Sequence, residues 1–149
     1  MEKKRVNLAE MLPIIEETLA AGGTVKLPIT GTSMLPLLRS GRDTVTLTAV
    51  TSPLKKYDLP LYRRKDGAFV LHRVVKVQAD GTYTMCGDNQ WVKEPNIHEE
   101  QCIGVVCAIT RNGKTFSVQS SNYKLYVRVW HFLLPVRKYF VKLRGKLSK

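Results

Sequence analysis

The sequence predicts a mainly β protein: a coiled antiparallel β domain, preceded by a short N-terminal helix and followed by a basic C-terminal helix. Residues 43–50, DTVTLTAV, alternate between polar and apolar side chains, which is typical of a strand with one buried face. The dipeptides Asp66-Gly67, Asp80-Gly81 and Asn112-Gly113 separate further alternating runs, and such dipeptides favour the tight turns of β-hairpins. Three such turns close together indicate a coiled antiparallel sheet or a small barrel-like domain.

The N-terminal helix is predicted over residues 7–21. Asn7 and Glu10 have the spacing of a capping box, apolar residues recur at helical intervals, and Gly22-Gly23 would end the helix. Pro13 would either kink the helix or mark its first turn. Besides 43–50, the predicted strands are 59–64, 68–77, 82–86, 102–110 and 114–118. We therefore divide the chain into an N-terminal helical segment (1–23), a β domain (24–121) and a basic amphipathic C-terminal segment (122–149).

Length and composition are those of a single globular domain. The chain has 149 residues, of which 44% are hydrophobic, so it can bury a core without disulfides or metals. Its three cysteines are an odd number with no CxxC pair, which argues against a disulfide framework or a zinc site and favours a reducing compartment. The N-terminus lacks the pattern of a secretory signal, and no stretch approaches the ~20 apolar residues of a spanning helix. We expect a cytoplasmic protein without a cofactor.

The positive charge is concentrated at the C-terminus. The net charge is +12, and residues 122–149 contain eight Lys/Arg and no acidic residue, which leaves +4 for residues 1–121. The basic character is therefore a property of the C-terminal segment, and it is no guide to what the β domain does.

The segment Gly31-Thr-Ser-Met-Leu-Pro36 interrupts strand-like sequence with residues that favour a loop. A simple turn is one interpretation. The other is that the loop displays Ser33 as a nucleophile at the edge of a sheet, with backbone N–H groups of residues 31–35 as oxyanion donors. A serine hydroxyl needs both a neighbouring base and such donors to react at neutral pH.

The candidate base is His72. On a strand over 68–77 it would share a face with Val70 and Val74, so we expect it to be half-buried and neutral, although a structural core histidine has the same pattern. His98 lies in a polar run and His131 in the basic C-terminal segment, and neither has a comparable setting. A carboxylate would orient the imidazole. Asp88 follows a predicted strand near that of His72, but Gly-Asp-Asn is also typical of an Asx turn, and the alternative carboxylate is Glu94.

These motifs carry a resemblance. Gly-x-Ser-Met-x-Pro (31–36), His-Arg-Val (72–74) and Gly-Asp-Asn (87–89), in this order, resemble the motif series of the type I signal peptidase and LexA-like serine peptidase superfamily, over about residues 24–110. The resemblance implies a LexA/signal-peptidase-like β fold with Ser33 as a nucleophile that forms an acyl-enzyme. It also implies that the segment of Gly31, Thr32, Met34 and Pro36 binds substrate and oxyanion.

A histidine at position 72, where bacterial signal peptidases have lysine, resembles the SipW and endoplasmic-reticulum branch. In that branch Asp88 matches the Gly-Asp-Asn aspartate, and Glu94 falls at a second aspartate often assigned as the charge partner. Which carboxylate serves His72 stays open.

The chain also departs from its apparent relatives. Signal peptidases of this branch are membrane-anchored, and LexA-type proteins carry a DNA-binding domain, whereas the sequence predicts neither feature here. We expect an endopeptidase that cleaves a peptide or protein. The alternatives are a catalytically silent relative that binds peptides and a LexA-like self-cleaving regulator. Net charge alone would favour nucleic-acid binding, but no recognition motif supports a specific nucleic-acid partner.

The C-terminal segment mixes its cations with aromatic and apolar residues, and Pro135 is a predicted helix break. The segment could cover one edge of the β domain with a solvated basic face. Alternatively it could lie on an anionic membrane in place of the missing anchor, with the aromatic side chains at the headgroups. Its large apolar and aromatic residues are Tyr123, Tyr126, Trp130, Phe132, Leu133, Leu134, Tyr139 and Phe140.

Overall fold

The structure, a computed structural model, describes residues 7–136, 139, 142 and 143. Within these residues the chain forms nine strands in two antiparallel sheets, two α-helices and one 3₁₀ turn. The protein is therefore mainly β, as predicted. The elements are α1 (Leu8–Ala20), β1 (Val25–Pro28), β2 (Asp43–Thr48), β3 (Pro60–Arg63), β4 (Phe69–Leu71), β5 (Arg73–Val77), β6 (Tyr83–Cys86), β7 (Glu94–Ile97), the 3₁₀ turn (Glu99–Gln101), β8 (Cys102–Arg111), β9 (Lys114–Ser117) and α2 (Ser121–Phe132).

The larger sheet has the strand order β1-β2-β8-β3-β4, with β9 beside the second half of β8. Strand β8 is its longest and lies at its centre. The pairing register shifts at Thr46/Leu47 of β2 and at Leu61/Tyr62 of β3, and such bulges bend a strand and increase its twist. The sheet consequently curls into a half-barrel, with β1 and β4 at the two ends of its strand order, and β9 pairs with β8 alone.

The three predicted hairpin turns are confirmed. Asp66-Gly67 connects β3 to β4, Asp80-Gly81 connects β5 to β6, and Asn112-Gly113 connects β8 to β9. The glycines have φ values of 93°, 88° and 77°, a region that favours glycine because it lacks a Cβ. These turns form locally, so their sequence signals are sufficient to identify them.

The predicted strand 68–77 is wrong as a continuous element. It divides at His72 into β4, which belongs to the larger sheet, and β5, which belongs to the smaller sheet of order β5-β6-β7. His72 is the residue at which the chain passes from one sheet to the other. Strands β1 and β7 were not among the predicted strands.

The predicted N-terminal helix is confirmed as α1. The Asn7 side chain accepts hydrogen bonds from the N–H groups of Ala9 and Glu10, and the helix continues through Pro13. Ile15 and Leu19 are buried in the larger of two hydrophobic cores.

The main core lies inside the curled sheet and includes residues from α1, β1, β2 and α2. A second core, separate from it, consists of Leu54, Tyr62, Val74, Tyr83, Met85 and Ile97. Helix α2 covers the β domain, since its Tyr123 and Val127 belong to the main core. None of the helices in the described part of the chain is long and apolar enough to cross a membrane. None of the three cysteines, all within the described residues, forms a disulfide; Cys86 is buried, and Cys102 and Cys107 are partly buried.

Candidate active site

Ser33 lies in an irregular loop, residues 29–42, that joins β1 to β2. Met34, Leu37 and Leu38 anchor this loop because their side chains are buried in the main core. Gly31, Thr32 and Pro36 face solvent, and Ser33 is partly exposed. Within the described residues, the N–H groups of Ser33 and Met34 donate to no protein acceptor, whereas the N–H of Leu35 donates to the Thr32 carbonyl at 3.2 Å. These two N–H groups, next to the Ser33 side chain in sequence, are thus not committed to a protein acceptor in the described part of the chain.

His72 is more deeply buried than the sequence suggested, with only 5% of its surface exposed. Burial lowers its pKa to about 4, and the positive charge of Arg64 acts in the same direction, against the charges of Glu94 and Asp88. The imidazole is therefore neutral at pH 7, as expected, and one of its nitrogens carries a lone pair.

One cavity brings Ser33 and His72 together. It has a volume of about 300 Å³, and Arg64 and Gln90 also line it. Its apolar wall comes largely from two edges of the larger sheet, with Leu27 of β1 and the residues Phe69, Val70 and Leu71 of β4. The two residues predicted as nucleophile and base therefore line the same cavity.

Tyr62 lies between His72 and Glu94. Its hydroxyl donates to Oε1 of Glu94 at 2.5 Å and is 3.5 Å from Nδ1 of His72. Arg64 Nε donates to the other carboxylate oxygen of Glu94 at 2.7 Å. Burial, together with the bond to Glu94, raises the pKa of Tyr62, so the phenol keeps its proton.

This arrangement favours one tautomer of His72. A phenol has one proton, and Tyr62 donates it to Glu94, so the Tyr62 oxygen is left as an acceptor towards His72. The tautomer that satisfies this contact has the proton of the neutral imidazole on Nδ1 and the lone pair on Nε2. The contact is long for a hydrogen bond, and we expect it to orient the ring weakly.

Asp88 has a different set of partners. It is fully buried and forms a bidentate pair with Arg73, at 2.9 and 3.0 Å, and Arg73 is also fully buried. Burial alone would raise the pKa of Asp88, but the charge and hydrogen bonds of Arg73 hold it below its usual value. Within the described residues, none of the Asp88 hydrogen bonds goes to His72. Of the two candidate carboxylates, Glu94 is the one connected to the imidazole, through Tyr62.

Helix α2 contributes further partners to Asp88. Tyr126 donates to its carboxylate at 2.9 Å, Trp130 Nε1 donates to its backbone carbonyl at 2.7 Å, and Nε2 of His131 is 3.8 Å from Oδ1. The expectation that His131 lacks a comparable setting is wrong, since its side chain is only 5% exposed. Asp88 thus adds a polar attachment of α2 to the β domain, beside the apolar contacts of Tyr123 and Val127.

The Gly87-Asp88-Asn89 turn also holds the Ser33 loop. Asn89 donates through its backbone N–H to the Ser33 carbonyl at 2.9 Å and through its side chain to the Thr32 carbonyl at 3.1 Å. A Cβ at Gly87 would lie 2.6 Å from the Ser33 carbonyl oxygen, so only glycine allows this approach. The turn therefore determines where Ser33 sits relative to the cavity.

Sequence reasoning missed Tyr62, Arg73 and the inward face of α2. A signal for Tyr62 was present, because a tyrosine within an apolar strand needs a partner for its hydroxyl when it is buried. Arg73 and α2 had no such signal, because their partner Asp88 lies 15 residues from Arg73 and 38 residues from Tyr126 along the chain.

No protein-family model and no curated protein matches this chain.

Proposed function

We propose that this protein is a serine endopeptidase in which Ser33 is the nucleophile and His72 is the general base. The observation that carries the proposal is the cavity that both residues line, since a nucleophile and a neutral base must face the same space to act on one substrate. The motif order 31–36, 72–74 and 87–89 supports the same assignment. The Gly-Asp-Asn turn, which hydrogen-bonds to the Ser33 loop, links the first and last of these motifs in space.

In the proposed mechanism Nε2 of His72 removes the proton of Ser33 Oγ while Oγ attacks the carbonyl carbon of a peptide bond. The N–H groups of Ser33 and Met34 stabilise the oxyanion. His72 then gives its proton to the leaving amine, the C–N bond breaks, and an acyl-enzyme remains on Ser33. A water molecule, deprotonated by His72, hydrolyses this ester. Tyr62 and Glu94 keep Nδ1 protonated and stabilise the imidazolium that forms in each half of the reaction.

The substrate is proposed to be an extended peptide. Strands β1 and β4 are edges of the larger sheet, and residues of both line the cavity. An extended segment lying between them would find backbone groups to bond with, as in β-augmentation. Its side chains would enter a cavity with a largely apolar wall, which favours small or apolar residues next to the cleaved bond.

The test uses the Ser33→Ala variant, with Ser40→Ala as a matched control, because Ser40 is an exposed serine of the same loop. Purified full-length protein is incubated with a peptide library, and the products are identified by mass spectrometry. Ser33→Ala should lower kcat/KM at least ~10³-fold, whereas Ser40→Ala should not. A fluorophosphonate probe should add its mass at residue 33. Cleavage that persists in Ser33→Ala would refute the proposal.

The silent peptide-binding relative is the second candidate, and one observation favours it. Within the described residues, no carboxylate contacts the His72 ring directly, and the Tyr62 contact is long. If the library peptides bind to the wild-type protein but stay intact, and the probe leaves Ser33 unmodified, this alternative replaces the peptidase.

A further inference from the structure

The two faces of α2 have opposite surroundings. Its inner face packs on the β domain through Tyr123 and Val127, which are buried, and through Tyr126 and Trp130, which bond to Asp88. The inner face therefore uses three of the aromatic residues of the C-terminal segment, Tyr123, Tyr126 and Trp130, whereas Phe132 stays exposed.

The opposite side of α2 is apolar and exposed. Leu125, Val129 and Phe132 are 63%, 49% and 83% exposed, and Val136, just beyond the helix, is 42% exposed. Leu125, Val129 and Phe132 are spaced by four and three residues on α2, which aligns them in one row that we call the outer stripe. Isolated exposed apolar residues are common, but an aligned row of three large side chains is typical of an interaction surface.

A basic cavity borders the outer stripe. It has a volume of about 350 Å³ and is lined by Lys55 and Lys56, from the loop before β3, and by Lys124 and Arg128 of α2. These four cations are exposed. Asp58 is the single acidic residue among those that line it, and its carboxylate accepts a hydrogen bond from the Lys55 N–H. Arg128 of this cavity follows Leu125 by three residues and precedes Phe132 by four, the spacings at which side chains on a helix surface are neighbours.

We propose that the outer stripe and the basic cavity together bind the surface of an anionic phospholipid bilayer. The apolar side chains enter the boundary between headgroups and acyl chains, and the cations meet lipid phosphates. Nucleic acid would be attracted to the same cations, but it offers nothing to the outer stripe. The apolar row beside the basic cavity therefore favours lipid. This surface does not depend on the proposed peptidase activity.

The experiment is co-sedimentation of the full chain with phosphatidylcholine vesicles that contain or lack phosphatidylglycerol. The wild-type protein should bind the anionic vesicles and bind the neutral ones far more weakly. The double variant Leu125→Ser/Phe132→Ser should bind at least ~10-fold more weakly. Ile14→Ser is its control, since Ile14 on α1 is 64% exposed and lies outside the proposed surface.

A second variant tests the cations independently. Each cation should contribute roughly five-fold to vesicle binding, so Lys124→Gln/Arg128→Gln should lower it about 25-fold. The control is Lys26→Gln, at an exposed lysine of β1, which should leave binding unchanged. Wild-type binding by the Leu125→Ser/Phe132→Ser variant would overturn the proposal. A second pattern would also overturn it. If the wild-type protein binds single-stranded DNA as strongly as anionic vesicles, and only the Lys124→Gln/Arg128→Gln variant weakens both, the binding is simple attraction to a polyanion.

Discussion

The Tyr62→Phe substitution tests whether the Glu94–Tyr62–His72 chain supports the base. It removes one oxygen and leaves the ring that packs in the second core. The lost bond to Glu94, at 2.5 Å, is to a charged acceptor, and such bonds contribute about 1.5–3 kcal/mol to stability. Glu94 keeps its partner Arg64, and its side chain is 30% exposed, so water can replace part of the loss. We therefore expect the free energy of unfolding to fall by about 1–2 kcal/mol.

The same substitution should have a larger effect on activity. Without the Tyr62 oxygen, no group among the described residues accepts a hydrogen bond from Nδ1 of His72. The ring can then present a protonated nitrogen to Ser33. General-base catalysis contributes about 10²–10⁴-fold to the reaction rate. Because the 3.5 Å contact orients the ring only weakly, we expect the substitution to lower kcat/KM by about 10- to 100-fold while KM stays constant.

The assays are peptide cleavage, urea denaturation and the imidazole ¹⁵N shifts of His72, which distinguish the two tautomers. Tyr57→Phe is the control, because the Tyr57 hydroxyl makes no hydrogen bond within the described residues. Full activity of Tyr62→Phe, with the Nδ1–H tautomer unchanged, would refute the role assigned to Tyr62 and Glu94.

Two further predictions concern stability. Burial lowers the pKa of His72 from 6.5 to about 4. Between these pH values the unfolded chain therefore binds more protons than the folded chain. The free energy of unfolding should consequently rise with pH across that window. The rise due to His72 should be roughly 2–3 kcal/mol between pH values of about 4.5 and 7. In urea denaturation, the free energy of unfolding of His72→Gln should depend on pH more weakly by that amount. If the wild-type protein and the variant show the same pH dependence, the burial of a neutral imidazole is contradicted. Asp88→Asn should lower the free energy of unfolding by about 3–5 kcal/mol, because it leaves the fully buried Arg73 without its counter-charge. A loss below about 1 kcal/mol in the same assay would show that the ion pair is not the anchor inferred here.

The parts of the fold that the sequence predicted correctly are those formed by neighbouring residues. The cap at Asn7 and the three Gly-containing turns each depend on a few adjacent positions, and the helix and all three hairpins were confirmed. Strand β7 had no such local signal. Its Pro95 and Asn96, the latter with a φ of 63°, are typical of loops, and they are tolerated because β7 lies at the edge of the smaller sheet.

The candidate site was predictable to a similar extent. The sequence identified Ser33, His72, Asp88 and Glu94 as candidates, and Ser33 and His72 line one cavity. It left the choice between the two carboxylates open, because that choice depends on Tyr62 and on pairings that bring distant parts of the chain together. The interruption at His72 was equally hidden, since alternation continues through it while the hydrogen-bonding partner changes from one sheet to the other.

The division at His72 also determines how the site should respond to heat. The Ser33 loop is anchored in the main core through Met34, whereas Tyr62, the group behind the base, belongs to the second core. The nucleophile loop and the group behind the base are thus packed in different cores, and the Gly-Asp-Asn turn at the end of β6 is a hydrogen-bonded tie to the nucleophile loop. Warming that loosens this tie would misalign the two groups while both cores stay folded, so catalysis would fade at a lower temperature than the one at which the chain unfolds.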